Sequence, residues 1–152
     1  MKEKPYIGII GASKTSPAID KIAWQVGNEI AKRGGILVCG GLGGVMEAAC
    51  QGAKKAQGLT IGILPGFDRN EANPYVDIVI TTGLLEARNL IIVRTSDVLI
   101  AIGKGYGTLS EIAFALKMEK PVIGIDTWNL DLPIISANNG QAAVNKAFEL
   151  LK

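Results

Sequence analysis

The chain contains no histidine, which removes Ser-His-Asp and Cys-His nucleophile systems and every histidine-based metal site. Acid–base chemistry must come from carboxylates, lysine, tyrosine or bound water. Cysteine is almost as scarce. Cys39 and Cys50 are the only two; they fall on different elements and read as small buried hydrophobes rather than a disulfide or metal pair. No metal site is expected. Neither sign of charge is in excess: the formal net charge is +2 and the basic residues are scattered, so there is no electrostatic footprint for nucleic acid or an anionic membrane. No apolar stretch approaches the length of a membrane span. Met1-Lys2-Glu3-Lys4-Pro5 leads into a strand-like run rather than a signal-peptide core, and a cytoplasmic protein is expected.

The 152 residues are 48% hydrophobic and 20% charged, enough for one substantial core and too few to promise two. Short apolar runs alternate with helical periodicity from end to end, as in βαβ units around a parallel sheet. Strands are expected at 6–10, 36–39, 59–64, 77–80, 98–102 and 121–126. Helical stripes carry Ile19, Ile22, Ala23, Val26 and Ile30; then Met46, Ala49, Cys50 and Ala53; then Leu85, Arg88, Asn89, Ile92 and Val93; then Leu109, Ile112, Ala113 and Leu116. A last amphipathic helix runs roughly from Gln141 to Leu151. The small residues on the second stripe suit close packing, on the sheet or against another subunit. Right-handed crossovers with a chain reversal after the third strand give an α/β fold: a doubly wound, mostly parallel sheet in one Rossmann-like domain over residues 1–152.

Of the 19 glycines, those that matter most follow strands: Gly11-Ala12-Ser13, Gly40-Gly41-Leu42-Gly43-Gly44 and Gly103-Lys104-Gly105-Tyr106-Gly107. A glycine turn opening a helix admits φ > 0 and presents the first free amides, partly positive, to a ligand; phosphate binds at such places. Three turns of this kind can surround one crevice at the carboxyl ends of the strands. Gly105-x-Gly107-x-x-Ser110, with Asp126 ending the next strand, approaches a dinucleotide fingerprint. The third position is Ser110 rather than glycine and the second strand ends in Cys39 rather than an acid, so NAD binding is the minority reading. Thr108-x-x-Glu111 at a helix start reads on its physics as a capping box, and Lys104 as a phosphate contact or a surface residue.

Gly105-Tyr106-Gly107-Thr108-x-x-Glu111, the upstream run Gly40 to Met46, and Arg88 placed 23 positions before Glu111 together resemble the LOG (Lonely Guy) family, formerly labelled lysine decarboxylase-like. The resemblance spans nearly the whole chain. It implies a Rossmann-like, homo-oligomeric domain with a small phosphorylated ligand held at Gly11, Ala12, Ser13, Gly41, Gly43, Gly44, Met46, Gly105, Tyr106, Gly107 and Thr108. It implies Arg88 and Glu111 as a catalytic pair in the hydrolases of the family, which release a free base from a nucleoside 5′-monophosphate. This chain departs from the hydrolase pattern at Gly103-Lys104, where the family has Pro-Gly, and at Asn89, where it has lysine. Asn73-Pro74-Tyr75-Val76-Asp77 and Arg88-Asn89 look closer to the molybdenum cofactor carrier protein-like branch, which binds a phosphorylated pterin without turning it over. The ligand that the resemblance implies is a nucleoside monophosphate or the molybdenum cofactor, with binding and hydrolysis both open.

Overall fold

A computed structural model of the chain describes residues 3–152; Met1 and Lys2, the first two residues of the run expected to lead into a strand, lie outside them. In chain order the elements are β1 (Tyr6–Gly11), α1 (Pro17–Lys32), β2 (Ile36–Cys39), α2 (Val45–Lys55), β3 (Thr60–Leu64), β4 (Ile78–Thr81), α3 (Asn89–Thr95), β5 (Val98–Ile102), α4 (Tyr106–Lys117), β6 (Val122–Ile125), β7 (Ile135–Ser136) and α5 (Gly140–Leu150). Short 3-10 turns occupy Arg69–Glu71 and Leu85–Arg88. The seven strands form one parallel sheet in the order β4-β3-β2-β1-β5-β6-β7. The molecule is a single Rossmann-like α/β domain.

The strands are nearly continuous apolar runs because both faces are covered. Alternate residues divide between two cores. Ile7, Ile9, Leu37, Cys39, Val98, Ile100 and Ile102 pack with α1, α2 and α5. Ile10, Val38, Ile61, Ile63, Leu99 and Ala101 pack with α3 and α4 on the other face. β1 leads to a helix on one face and β5 to a helix on the other. Their neighbouring carboxyl ends therefore splay open, and a ligand crevice forms at such a switch point.

Three expectations need correction. The chain reverses after the fourth strand rather than the third, because β4 pairs in parallel with β3, Ile61 facing Ile78 and Ile63 facing Ile80. The β3-to-β4 crossover is made by a loop with one 3-10 turn instead of a helix, so Ile78 and Ile80 stay exposed at the sheet edge. The stripe on α4 is turned by one residue. Thr108, Glu111, Ile112 and Ala115 are buried while Ala113 is exposed, because the polar pair Thr108 and Glu111 faces a protein interior that hydrophobic periodicity alone assigns to apolar side chains. The capping box does not form either. Gly105 is the N-cap of α4, which puts Thr108 at the third helical position and Glu111 a turn beyond, out of reach of the orphan amides. The two-residue strand β7 was not anticipated; it is too short to leave a periodicity.

The small residues of α2 find their partner inside the domain. A Cβ on Gly27 of α1 would collide with the Ala49 carbonyl and one on Gly52 of α2 with the Trp24 carbonyl, so the two helix backbones meet directly. Asn28, buried, donates from Nδ2 to the Gly52 carbonyl at 3.0 Å across the same crossing. This contact fixes α2, and with it the glycine turn that precedes α2.

Candidate functional site

A cleft of about 500 Å³ opens at the carboxyl ends of β1, β2 and β3, between the first turns of α2 and α4. Its size suits a small organic ligand. Of the residues singled out in the sequence, Gly11, Ala12, Ser13, Met46, Arg88, Gly107, Thr108 and Glu111 line it. Gly41, Gly43, Gly44 and Gly105, also expected at the site, are not among its lining residues; Gly44 borders a separate hollow with Trp24 and Glu47. Tyr106 does not join them: it lies on the solvent side of α4, 85% exposed, and stacks on Trp128 with ring centroids 6.2 Å apart. Lys104 is exposed. Asp126, the acid of the dinucleotide reading, lines a separate hollow with Trp128.

The two helices that open on the cleft begin without side-chain caps. Gly44 is the N-cap of α2 and Gly105 that of α4, and neither helix receives a capping hydrogen bond from a side chain. By contrast α1 is capped by Ser16 and α5 by Asn139. Gly44 has φ +67° and abuts the Ala12 and Ser13 backbone, where a Cβ would collide with the Ala12 carbonyl. Val45 N–H donates to that carbonyl at 3.1 Å. The β1 turn is thereby bolted to the start of α2, and uncapped amides with their partial positive charge remain at both helix starts.

Arg88 spans the floor. Its Nη1 donates to the Gly40 carbonyl at 2.5 Å and the Ile63 carbonyl at 2.7 Å, at the ends of β2 and β3. A Cβ at residue 40 would lie 2.5 Å from that nitrogen and 2.9 Å from Met46 Sδ, so only glycine leaves room for the guanidinium. Arg88 Nε and Thr108 Oγ1 are buried without a partner. Unsatisfied buried donors are costly and mark groups that await something. Burial pulls the Arg88 pKa below its ordinary value, opposed by the charges of Glu111, Cys39 and Glu86.

Glu111 is 7% exposed and forms no ion pair with Arg88; among the described residues the ion pairs are Lys32–Glu29 and Lys54–Asp77. Desolvation pushes its pKa up to about 8, Arg88 opposing and Cys39 adding to the rise. At neutral pH the side chain is therefore mostly a neutral acid that can donate a hydrogen bond. Cys39 and Cys50 are buried with their sulfurs 3.6 Å apart. The contact with Cys50, the Gly41 amide and Arg88 hold the Cys39 thiol low against its burial, whereas the contact with Cys39 and burial push Cys50 up.

Sequence reasoning missed Leu42, Leu85, Glu86 and Ile92 as cleft walls, and the part Asn89 plays. Asn89 is buried and donates from Nδ2 to Ser110 Oγ at 3.1 Å, while Ser110 donates to the Gly107 carbonyl at 2.7 Å. It ties α3 to the first turn of α4. The signal for Leu85 was present as two leucines after Gly83 in an otherwise polar connection.

The arrangement defines a Rossmann-like domain with a cleft at the strand switch point, walled by two uncapped helix starts and floored by a buried arginine and a buried carboxyl group. The chain belongs to the SLOG cluster4 family, whose profile matches residues 4–149. It superposes on the molybdenum cofactor binding protein of the phototrophic bacterium Rippkaea orientalis with a TM-score of 0.94 and 42% identity, over the whole of both chains. The molybdenum cofactor carrier protein of Chlamydomonas reinhardtii gives a TM-score of 0.87 and 39% identity, over 98% of this chain and 99% of that one. A cytokinin riboside 5′-monophosphate phosphoribohydrolase of Mycobacterium tuberculosis is 33% identical over 127 residues, 77% of this chain and 67% of the enzyme. Among the described residues no helix is long and apolar enough to cross a membrane.

Proposed function

We propose that the cleft binds a small phosphorylated ligand, nucleotide-like or pterin-like, and holds it intact, as a molybdenum cofactor carrier would. The observation that carries this reading is the pairing of two glycine-capped helix starts with the buried, unpartnered Thr108 hydroxyl on the same cleft. Together they supply several donors aimed at one anion. Gly11 to Ser13 and Gly107 line this cradle, Gly41, Gly43, Gly44 and Gly105 shape the turns that carry it, Met46 borders the ring-bearing part, and Arg88 and the neutral Glu111 form the floor. Tyr106 serves from outside, stacked on Trp128, whose Nε1 donates to the Gly105 carbonyl at 3.0 Å. The pair braces the α4 start. The likeness to molybdenum cofactor proteins over the full chain adds to this reading. The test is thermal shift with the molybdenum cofactor, nucleoside monophosphates and inorganic phosphate. A bound ligand at 100 times its dissociation constant stabilises by about 2.7 kcal/mol, and the absence of any shift with every phosphorylated probe would refute the reading.

A second reading, hydrolysis of the N-glycosidic bond of a nucleoside 5′-monophosphate, is favoured by one feature: Glu111 has the raised pKa of a proton donor and shares the cleft with Arg88. Such an acid could protonate the departing base while an oxocarbenium-like sugar forms. Incubation with nucleoside monophosphates, followed by detection of free base against a Glu111→Ala control, separates the two readings. A homo-oligomer is part of the proposal. The exposed Phe67, Ile78, Ile80 and Leu84, near the β4 edge, supply apolar surface for it, and light scattering of the purified protein reads the mass directly.

A further inference from the structure

Leu85 is a leucine where the backbone calls for glycine. Its φ is +52°, a left-handed conformation that is strained for a side chain of this size. The surrounding hydrogen bonds enforce it. Leu85 N–H donates to the Pro65 carbonyl at 3.0 Å, Gly83 N–H to the Gly66 carbonyl at 2.9 Å, and Thr82 Oγ1 to the Leu64 carbonyl at 2.7 Å. Two positions away, Gly83 adopts φ +65° as a glycine, where a Cβ would also collide with the Phe67 ring. The Leu85 side chain is also 56% exposed. It returns little burial for the strain, yet it lines the cleft. Strain kept without a packing return is a mark of a functional position.

Met46 and Leu42 line the same cleft. Met46 belongs to the core layer of α1, α2 and α5, whereas Leu85 opens the 3-10 turn that leads into α3, a helix of the other layer. Pro65, at the end of β3, lies along the same wall. We propose that Leu85 and Met46 form an apolar slot that grips the planar ring of the ligand, making Leu85 a specificity-determining residue for phosphorylated heterocycles over sugar phosphates. The inference rests on the phosphate-cradle reading above and adds the ring. The slot is sequence-tolerant toward the ring, since methionine and leucine contact any flat apolar face. Selectivity is set by the presence of a ring beside the phosphate, with the Leu85 side chain as the second jaw.

The test is calorimetric binding of GMP, UMP and a hydroxymethylpterin phosphate, each compared with ribose 5-phosphate, which keeps the anion and lacks the ring. The proteins are the wild type, Leu85→Gly, which suits the left-handed backbone and leaves Arg88 in place, and Leu85→Met. The wild type is expected to bind at least one ring-bearing probe about tenfold more tightly than ribose 5-phosphate, the advantage to fall by about tenfold in Leu85→Gly, and Leu85→Met to restore it. Thermal melting of unliganded Leu85→Gly is expected to match or exceed that of the wild type, so loss of affinity cannot be assigned to unfolding. An unchanged ring preference in Leu85→Gly, or no ring preference in the wild type, overturns the slot while leaving the phosphate cradle standing. If no probe binds the wild type, including ribose 5-phosphate, the cradle reading and the slot fall together.

Discussion

Replacing Glu111 with glutamine should change how stability depends on pH more than any other single substitution in the cleft. The folded-state pKa of Glu111 is raised from 4.5 to about 8, chiefly by desolvation. A carboxyl group whose folded pKa lies above its unfolded value keeps its full contribution below the unfolded pKa and loses it as the pH rises toward the folded one. From pH 5 to pH 8 the unfolded chain releases this proton while the folded chain largely retains it, and integrating the proton difference gives a loss on the order of 3 kcal/mol. At the usual entropy of unfolding for a domain of this size, that is about 6–12 °C in melting temperature. Glutamine has nearly the same shape and no proton to lose. The other carboxylates titrate in both proteins, so the difference between Glu111→Gln and wild type isolates this group. The assay is urea denaturation at half-unit steps from pH 5 to 9. Glu111→Gln should gain on the wild type steadily through the window. Parallel pH profiles for the two proteins would refute the burial argument and return Glu111 to an ordinary solvated carboxylate.

Thr108→Val removes a buried hydroxyl that has no partner, so the unliganded variant should be as stable as the wild type or up to about 1 kcal/mol more stable, while its thermal shift with a phosphorylated ligand shrinks. Equal shifts in both proteins would remove Thr108 from the cradle. Gly40→Ala forces a methyl against Arg88 Nη1 and Met46 Sδ; it should displace the guanidinium and weaken ligand binding by about tenfold or more at a cost of about 1–3 kcal/mol in folding, read by calorimetry and denaturation together. Gly52→Ala strikes the Trp24 backbone at the α1–α2 crossing. It should cost about 3 kcal/mol or more, and a melting temperature unchanged from wild type would contradict the close helix contact. Lys120 donates from Nζ to the carbonyls of Val93, Arg94 and Ser96 at 2.9, 2.6 and 2.5 Å, closing the C-terminal end of α3, and Lys120→Met should cost about 1–2 kcal/mol in the same denaturation assay.

The sheet was legible because each parallel strand is an apolar run bounded by glycine or polar turns, and both its faces are covered. β1, β2, β3, β5 and β6 fall within a residue or two of the expected limits. The reversal point was not, since a strand such as Ile78–Thr81 carries nothing local to say on which side of β3 it will pair. The glycine turns were legible as turns, and as neighbours around one crevice, because β2, β1 and β5 lie side by side. The walls were harder. Leu42, Pro65 and Leu85 are apolar residues in polar connections, and only the fold brings them to the cleft. The orientation of α4 failed for a specific reason: Thr108 and Glu111 are polar side chains pointing inward, and patterning that puts polar residues outside must miss a helix that turns a binding face to the interior.

That same reversal decides what Glu111 can do in the resting protein. A carboxylate beside an anion would repel it, and the Thr-x-x-Glu spacing reads as a capping box. With the cap occupied by Gly105 and the side chain buried, the conflict is relieved by protonation instead. Burial raises the pKa to about 8, so near neutral pH the floor of the cleft holds a positive charge on Arg88 and a neutral donor on Glu111, with the Thr108 hydroxyl also available, while the acidic Glu86 lies on its wall. On the proposed reading, such a floor seeks acceptors on an anionic ligand. Water activation would require Glu111 to ionise, and an anion bound alongside raises its pKa further. The charge of the ligand thus favours holding over base catalysis, and it leaves proton donation to a departing base as the one catalytic step open to this residue. Ligand affinity should fall as pH rises through 8 in the wild type and stay level in Glu111→Gln. A wild-type affinity that rises with pH would mean that Glu111 binds as the carboxylate, and the acceptor-seeking description would be wrong.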